Sequence, residues 1–552
     1  MELLLCAGLA TVESFLVKRL PGQDTDVVSI RTVITLFLAQ YLAVKIYRIF
    51  LYPKYFSPLR NVSGPTDGYF FLGQSPNFLK AKTPTELYIK WMREHPDAPF
   101  IRYLTWANTE VLVPNSIKAH REVLQLQCYS FSPSQWFLRV AKEVAGRGVI
   151  MMDGDEHRAH RKMLTGSFSL GQIRKFEPIF QEKAKVLCRY FDQCIQDNDG
   201  AIGVIDCTAT FSKIILDIMG SAILGVDLDH VDSGKGKADK SKTLRKDGLD
   251  ENQTFHGAYN AFFSPSSILG QVLIFANGFV PIRWLPIEVN REYVTAMGWI
   301  HEMIRGLIRQ RYQDVSARTN EAEYGDKDTK DLVSFIVKES MPDGIAEGIG
   351  EDEFLGHLLT FLAAGHETSA IMLSWSAYSL ATNPDVQDQL YAEVKELSPN
   401  PSFAELDKLP YLEKFCKESL RVYPPSGTYN REANRDVVVE GVHIPKGTPV
   451  DLCPAVTSMQ PNVWGDDAAK FDPSRWDRLT GDQTSTWAFS SFGNGPRMCL
   501  GRQFAMVEIK IILAEIVRNY RFVSADEGFT VESPSFTFRP RGLKVRFQKI
   551  RE

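Results

Sequence analysis

One cysteine in this chain stands where a thiolate could work on a metal. The run Phe492-Gly493-Asn494-Gly495-Pro496-Arg497-Met498-Cys499-Leu500-Gly501 sets it in a glycine-bounded loop, directly before an apolar, helix-forming stretch. A thiolate held still in such a loop suits the fifth ligand position of a haem iron. There it pushes electron density onto the metal and favours O–O cleavage. Gly493 and Gly495 free the backbone to lie flat against a macrocycle. Gly501 lets the next helix approach closely, and N–H groups after Cys499 can point at the sulfur and tune it. Phe492 would shield the sulfur from water, and Arg497 would reach a haem propionate. The bland alternative is a buried structural cysteine in a glycine-rich turn.

The whole string decides against that alternative. It resembles the haem-binding motif of the cytochrome P450 monooxygenases, with every fixed position filled: Phe492, Gly495, Arg497, Cys499 and Gly501. A second motif, Glu418-Ser419-Leu420-Arg421, places an acid and a base at i and i+3 on one helix face. Alone, such a pair is usually a solvated surface contact worth little. Here Val422-Tyr423-Pro424-Pro425 ends the helix, because proline cannot continue it. The family has an E-x-x-R pair at this point, whose Arg meets a charged segment before the cysteine loop. The resemblance implies that Arg475 is that partner, and that Glu418, Arg421 and Arg475 form a structural trio on the proximal side of the haem.

The third motif is Ala364-Gly365-His366-Glu367-Thr368-Ser369, inside a largely apolar helical stretch from about Asp352 to Ala381. Gly365 loosens the hydrogen-bond ladder and opens room for a small ligand. Heterolysis of an O–O bond needs two protons at the outer oxygen, and an acid–alcohol pair can deliver them. Glu367 and Thr368 are therefore the catalytic candidates, and the stretch is similar to the family's oxygen-activation motif. The structural alternative is a kinked helix with a back-bonded Thr. His366 fits packing or solvent contact.

Two further stretches complete the expected haem cradle. Gly154 to Arg161 resembles the family's G-x-x-W-x-x-x-R helix, with His157 where Trp is commonest. His157 and Arg161 are the propionate contacts this implies, and Arg431 is placed to reach the other propionate. Val437 to Gly447 reads as a hairpin of alternating β-branched residues around Gly441. The resemblance runs from about Pro58 to Phe547, and its departures are small: His157 for Trp, and Ser369 where Thr is common.

These motifs need a large framework, and the chain supplies 552 residues with a normal apolar fraction of 44%. The net charge of −4 gives nucleic-acid binding no electrostatic support. Eight cysteines lie scattered without C-x-x-C spacing, which argues against zinc and against a disulfide framework. Val27 to Val44 is mostly apolar, with only Arg31 charged, and is long enough to nearly span a bilayer core. Lys45, Arg48, Lys54 and Arg60 follow and would hold that flank in the cytosol. Met1 to Val17 is a second apolar stretch: a shallow anchor, part of a hairpin, or a luminal tail.

The expected organisation is an anchor region over 1–52 (main span about 27–44), a proline-containing hinge over 53–66 and a catalytic domain over 67–552. Phe100 to Val113 should hold two short strands. Cys128 to Ile150 reads as a loop-rich stretch, which the resemblance implies contacts substrate. Residues 227–252 and 316–330 read as surface loops, and 262–285 as a membrane-dipping or core segment. Pro534 to Phe538 should reach back into the pocket.

The fold the resemblance implies is mainly α with a smaller β part: the cytochrome P450 fold with an N-terminal membrane anchor. Its cofactor is haem b (iron protoporphyrin IX). No flavin domain is read in the chain, so electrons are expected from NADPH through a membrane-bound NADPH-cytochrome P450 reductase, with cytochrome b5 as a second candidate donor. Lys414, Lys417 and Arg502 are basic residues near the cysteine suited to docking an acidic partner. The implied reaction is hydroxylation or epoxidation of an apolar small molecule at the endoplasmic reticulum membrane, with a single-pass anchor and a cytosolic catalytic domain. A terpenoid or polyketide intermediate of fungal specialised metabolism is the first substrate class. A fatty acid, alkane or xenobiotic is the second. A peroxide-rearranging relative would tend to lose the acid–alcohol pair. A non-enzymatic haem sensor would need neither that pair nor an anchor.

Overall fold

The computed structural model describes the chain from Glu2 to Ile550 except residues 18–29, 199, 229, 232–272, 274–276, 279–281, 319–330 and 343. Helices dominate, and they pack around one of them, Glu351–Thr382. That central helix is apolar on nearly every face, as a helix through the middle of a large domain must be. Glu351, Asp352 and Glu353 fill its first turn, where carboxylates complement the helix dipole. Arg305 and Arg309, from the helix Glu288–Arg318, pair with Asp352 and Glu351 and fix this end. The central helix stops at Thr382, before the Asn383-Pro384 step, as proline requires. Gly356 and Gly365 let neighbours come close: a methyl at the first would collide with the Arg147 backbone, and at the second with the Met219 side chain.

A five-stranded sheet flanks the helices. Its order is Phe100–Leu104, Glu110–Pro114, Pro449–Leu452, Tyr429–Ala433 and Phe131–Pro133. Neighbours are antiparallel except where Leu112 meets Val450. The expected hairpin pairs Val437–Val439 with Val442–Ile444. Its turn residues Glu440 and Gly441 have φ of 44° and 77°, and two successive positive φ values match the strand twist. A three-stranded sheet joins Gly203–Asp206, Lys544–Lys549 and Tyr520–Ala525.

The N-terminal helices Glu2–Val17 and Ile30–Ile46 pack side by side. Cys6, Ala10 and Ser14, four residues apart, are buried, a small-residue stripe that lets backbones approach. Gln40 Nε2 donates to Glu13 Oε2 at 2.5 Å between them. The second helix continues through a π-helical turn to Phe56, so among the described residues the apolar helix covers Ile30–Phe56 and runs on past residue 44. Widened π turns accommodate the Pro53 within it. The proline segment that follows is fastened to the sheet. Arg102 donates to the Pro53 carbonyl and Ser57 to Glu110, both at 2.7 Å, and Leu59 is buried against Phe100 and Leu112.

Two loop readings are corrected. The stretch 128–150 contains the helix Gln135–Ala145, capped by Ser134, whose apolar face the short 128–150 window concealed. The helix Glu288–Arg318 runs past residue 316, because 316–318 still follow its register. Residues 319–330, most of 227–252 and most of 262–285 lie outside the described residues. Of the last segment, Trp284 is described and is exposed.

Candidate functional site

The cysteine loop and the oxygen motif meet in one cavity. Its walls include Cys499, Phe492 and Gly501 from the cysteine loop, Gly365, Thr368 and Ser369 from the central helix, and His157, Arg161, Arg431 and Arg497 at its polar end. The sulfur of Cys499 is open to this cavity yet lies deep within the protein. Burial raises its thiol pKa; the Gly501 N–H, directed at the sulfur, and the charges of Arg161 and Arg502 oppose that shift. The loop is held by its own backbone, with the Cys499 N–H donating to the Phe492 carbonyl at 2.8 Å. Ser491 Oγ donates to the Leu420 carbonyl at 2.7 Å, tying the loop to the E-x-x-R helix. Gly495 takes φ 74° and lies against the Leu124 carbonyl, where a side chain would collide. A Cβ at Gly501 would meet no protein atom, so its absence leaves the cavity floor open.

Three guanidinium groups crowd the polar end. Arg497 donates from Nη1 to the Met152 carbonyl at 2.9 Å and from Nη2 to Asp153, while its buried Nε has no partner. Arg431 donates to its neighbour's Asn430 carbonyl at 3.2 Å; burial, then Arg497, pull its pKa down to about 10. Burial also lowers that of Arg161. His157 is buried, with Nδ1 3.0 Å from the Tyr129 hydroxyl. Burial and then the cations Arg497 and Arg161 push it down to about 4, so the imidazole is neutral. Asp153 and Tyr129 were not found from sequence. Asp153 directly precedes the Gly154 motif, but nothing in the local pattern marks its pairing with Arg497.

Thr368 lines the cavity and back-bonds to the Ala364 carbonyl at 2.6 Å. Glu367 turns away from it. Its carboxylate accepts from Thr537 Oγ1 at 3.0 Å and lies 3.8 Å from Arg539, both on the C-terminal segment. Burial raises its pKa, against the opposing pull of Arg539 and Thr537. The 534–538 segment packs behind the wall, with Phe536 against Phe137, and none of its residues lines the cavity itself. His366 is buried, 2.9 Å from Ser212 Oγ, a packing role.

Beside the cavity, Glu418 and Arg421 form a fully buried fork-to-fork pair, with both bonds at 2.8 Å. Arg421 also donates to the Ser458 and Ala468 carbonyls, at 2.9 and 2.6 Å. The trio forms around the acid: Arg475 lies 3.7 Å from Glu418 and makes a bidentate pair with Asp467. Arg475 is thus Glu418's partner rather than that of Arg421, since two guanidiniums share an acid but do not bond each other. Lys414, Lys417 and Arg502 line one depression beneath the cysteine loop, with Lys414 paired to Asp477 and Lys417 to Glu413.

A cavity-facing cysteine under a long helix that carries a glycine and an alcohol, with cations at one edge, defines a haem-thiolate oxidoreductase. The comparisons with known proteins agree. A family model described as Cytochrome P450 matches residues 63–547. The cytochrome P450 monooxygenase sphH of Aspergillus fumigatus is 29% identical, over 86% of this chain and 85% of its own. The cytochrome P450 monooxygenase FUM15 of Gibberella moniliformis is 28% identical, over 92% and 91%. The heme domain of cytochrome P450DA shares the fold, with TM-score 0.70 at 20% identity over 89% of this chain and 98% of that one. The chain belongs to the cytochrome P450 family and is a monooxygenase of that family.

The residues present fit the family's haem. The cavity's polar end holds more buried positive charge than Asp153 offsets, and it leaves the Arg497 Nε unpartnered. Two propionates would supply the missing acceptors and charge. The cavity wall also offers the sulfur of Cys499 as a ligand, and among the described residues no cluster of three His, Cys, Asp or Glu could hold an ion.

Proposed function

We propose that this chain hydroxylates or epoxidises an apolar small molecule, consuming O2 and two electrons that come from NADPH through a separate reductase. The observation that carries this reading is Cys499 and Thr368 in the walls of a single cavity whose far edge is cationic. When bound there, haem supplies the redox chemistry that activates dioxygen. Cys499 would ligate its iron. Arg161, Arg431, Arg497 and His157 would hold its propionates, and Phe492 would exclude water from the sulfur. Thr368 would offer its hydroxyl proton into the cavity, and Glu367 would feed protons from the C-terminal side. Glu418, Arg421 and Arg475 would hold the proximal scaffold. They take no chemical part.

The substrate class we favour is a terpenoid or polyketide scaffold of fungal specialised metabolism. Phe137, Val149, Ile150, Phe361 and Ile223 give the wall an apolar character suited to such a molecule, and the reported relatives are fungal. A fatty acid, alkane or xenobiotic is the second class. The division into anchor (1–52), connecting segment (53–66) and catalytic domain (67–552) remains our reading. So does an endoplasmic reticulum membrane location with the catalytic domain in the cytosol. The apolar helix Ile30–Phe56 and its basic flank support an anchor. NADPH-cytochrome P450 reductase is the proposed electron donor, with cytochrome b5 as an auxiliary one.

The test compares metabolites of the source organism with and without the gene. Accumulation of a ring-rich precursor lacking one oxygen supports the favoured class. An unchanged specialised-metabolite profile with altered hydroxy fatty acids replaces it with the second.

A further inference from the structure

The helix Glu2–Val17 has no role of its own in the reading above, and its surface is inverted. A helix in water turns its large apolar side chains inward and its polar ones outward. Here Leu4, Leu5, Leu9 and Val12 are 48–79% exposed, while Ser14 is buried. The Glu13 carboxyl is directed at the second helix, Ile30–Ile46, where it accepts from Gln40 Nε2 at 2.5 Å. The second helix repeats the pattern. Leu38 and Leu42 are more than half exposed, and Gln40, midway between them in sequence, is half-buried. Two exposed hydroxyls are satisfied within their own helices: Thr11 Oγ1 donates to the Ala7 carbonyl at 2.7 Å, and Thr35 Oγ1 to the Arg31 carbonyl at 2.8 Å. Hydroxyls bonded back in this way need no water.

The pair thus presents hydrocarbon outward and polar groups inward. Helices in lipid gain nothing from the hydrophobic effect between them, and they hold together by small residues in close contact and by hydrogen bonds. Both devices are present: Cys6, Ala10 and Ser14 are buried at four-residue spacing, and Gln40 meets Glu13. Gln40 follows Ile30 by ten residues, about 15 Å of helix, which is mid-depth in a core of about 30 Å. A carboxyl group at that depth needs a partner, and this one has it. In water the partner would be dispensable and the leucine face a liability. The first helix has 16 residues, about 24 Å, short of the roughly 30 Å of a full crossing. Its support is the longer apolar helix Ile30–Phe56 beside it.

We propose that Glu2–Val17 is a lipid-immersed companion helix, clasped to the single membrane-crossing helix by the Gln40–Glu13 hydrogen bond and by the small-residue contact. The occupant of its leucine face is the hydrocarbon of the bilayer, continuous with that around Ile30–Ile46. This rests on the anchor reading of Ile30–Phe56.

The experiment uses the full chain in phosphatidylcholine vesicles that carry a lipid-soluble, photoactivated diazirine. Trypsin after labelling separates the peptides Met1–Lys18 and Thr32–Lys45. Label is expected in both, and within the first on Leu4, Leu5, Leu9 and Val12 rather than on Cys6, Ala10 and Ser14. Label in Thr32–Lys45 alone overturns the proposal and leaves the anchor standing. Label in neither peptide sinks the anchor reading, and the proposal with it. Mild oxidation of the double variant Glu13→Cys/Gln40→Cys should join the two peptides by a disulfide, and Leu9→Cys/Leu38→Cys, on outward faces, should not. Equal yields from the two pairs overturn the clasp. Disulfide-linked dimers of Leu9→Cys, with no lipid label on that face, would assign it to a second copy of the chain and overturn the proposal. Labelling of the wild-type chain keeps the test decisive should a cysteine pair disturb insertion.

Discussion

Thr537 Oγ1 donates to Glu367 Oε1 at 3.0 Å, a bond that ties the acid of the oxygen motif to the C-terminal segment rather than to Thr368 beside it. Adjacent helical residues point about 100° apart, and here Thr368 and Ser369 face the cavity while the acid before them does not. Glu367 instead lies at the rear of the helix, buried against Arg539. If it feeds protons, they enter from the Thr537 side. Replacing Thr537 by Val removes one hydrogen bond to the charged form, and the carboxyl pKa should rise further. The acidic limb of the pH–rate profile should then move to higher pH, with haem content unchanged. A profile identical to wild type would show that Glu367 does not gate turnover.

Glu508 gives a stability prediction with a definite sign. A carboxyl held at about 8 in the folded protein and near 4.3 in the unfolded chain costs nothing below pH 4. The cost grows as pH rises between those values, because the unfolded chain ionises first, and it is complete above about 8. It reaches on the order of 5 kcal/mol. Glu508→Gln, which cannot ionise, should melt close to wild type at about pH 5 and well above it at about pH 8. Thermal melts across that range check this. A gap that narrows with rising pH would contradict it.

How much of this was legible in the sequence depended on distance along the chain. The cysteine loop, the E-x-x-R pair and the oxygen motif are local strings whose chemistry constrains residue type, and all three lie at one cavity or its proximal support. The hairpin around Gly441 was legible because a two-residue turn with positive φ restricts its residues. Partners contributed from far away were not. Asp153 on Arg497, Thr537 on Glu367 and Tyr129 on His157 join residues that no periodicity links. The helix Gln135–Ala145 was missed for another reason: its N-cap Ser134 follows a proline-containing strand, and three aromatic or branched residues early in it resemble a loop's pocket contacts.

The Glu418–Arg421 pair has no exposed surface, and its acid also accepts from the Asp472 N–H and the Trp476 indole. Removing one partner leaves the other charged and dry, a loss of about 3–5 kcal/mol. Arg421→Leu should therefore yield little soluble haem protein, although Arg421 lies outside the cavity. Arg475→Leu should be milder, because its main partner Asp467 is half exposed and can turn to water. Soluble yield and melting temperature rank the two. Equal losses would mean that Arg475 matters to Glu418 more than its 3.7 Å separation indicates.

Arg431 should separate haem binding from stability in opposite directions. Its guanidinium is buried, it lies close enough to Arg497 to be repelled, and it makes one neutral hydrogen bond, to the Asn430 carbonyl. Without haem, that charge has little to offset its burial, and a buried unpaired cation destabilises the protein that holds it. Arg431→Leu should thus raise the melting temperature of the haem-free protein. With haem, the same guanidinium gains a carboxylate partner, and a charge-assisted bond of that kind contributes about 1.5–3 kcal/mol. The variant should lose roughly ten- to a hundredfold in haem affinity. Calorimetric melts of the haem-free protein and haem titration by absorbance read the two effects separately. Arg497→Leu serves as the contrast, since Arg497 also holds Asp153 and the Met152 carbonyl and should destabilise both forms. A lower melting temperature for haem-free Arg431→Leu would show that Arg431 is structural and that the propionate assignment lacks its energetic basis.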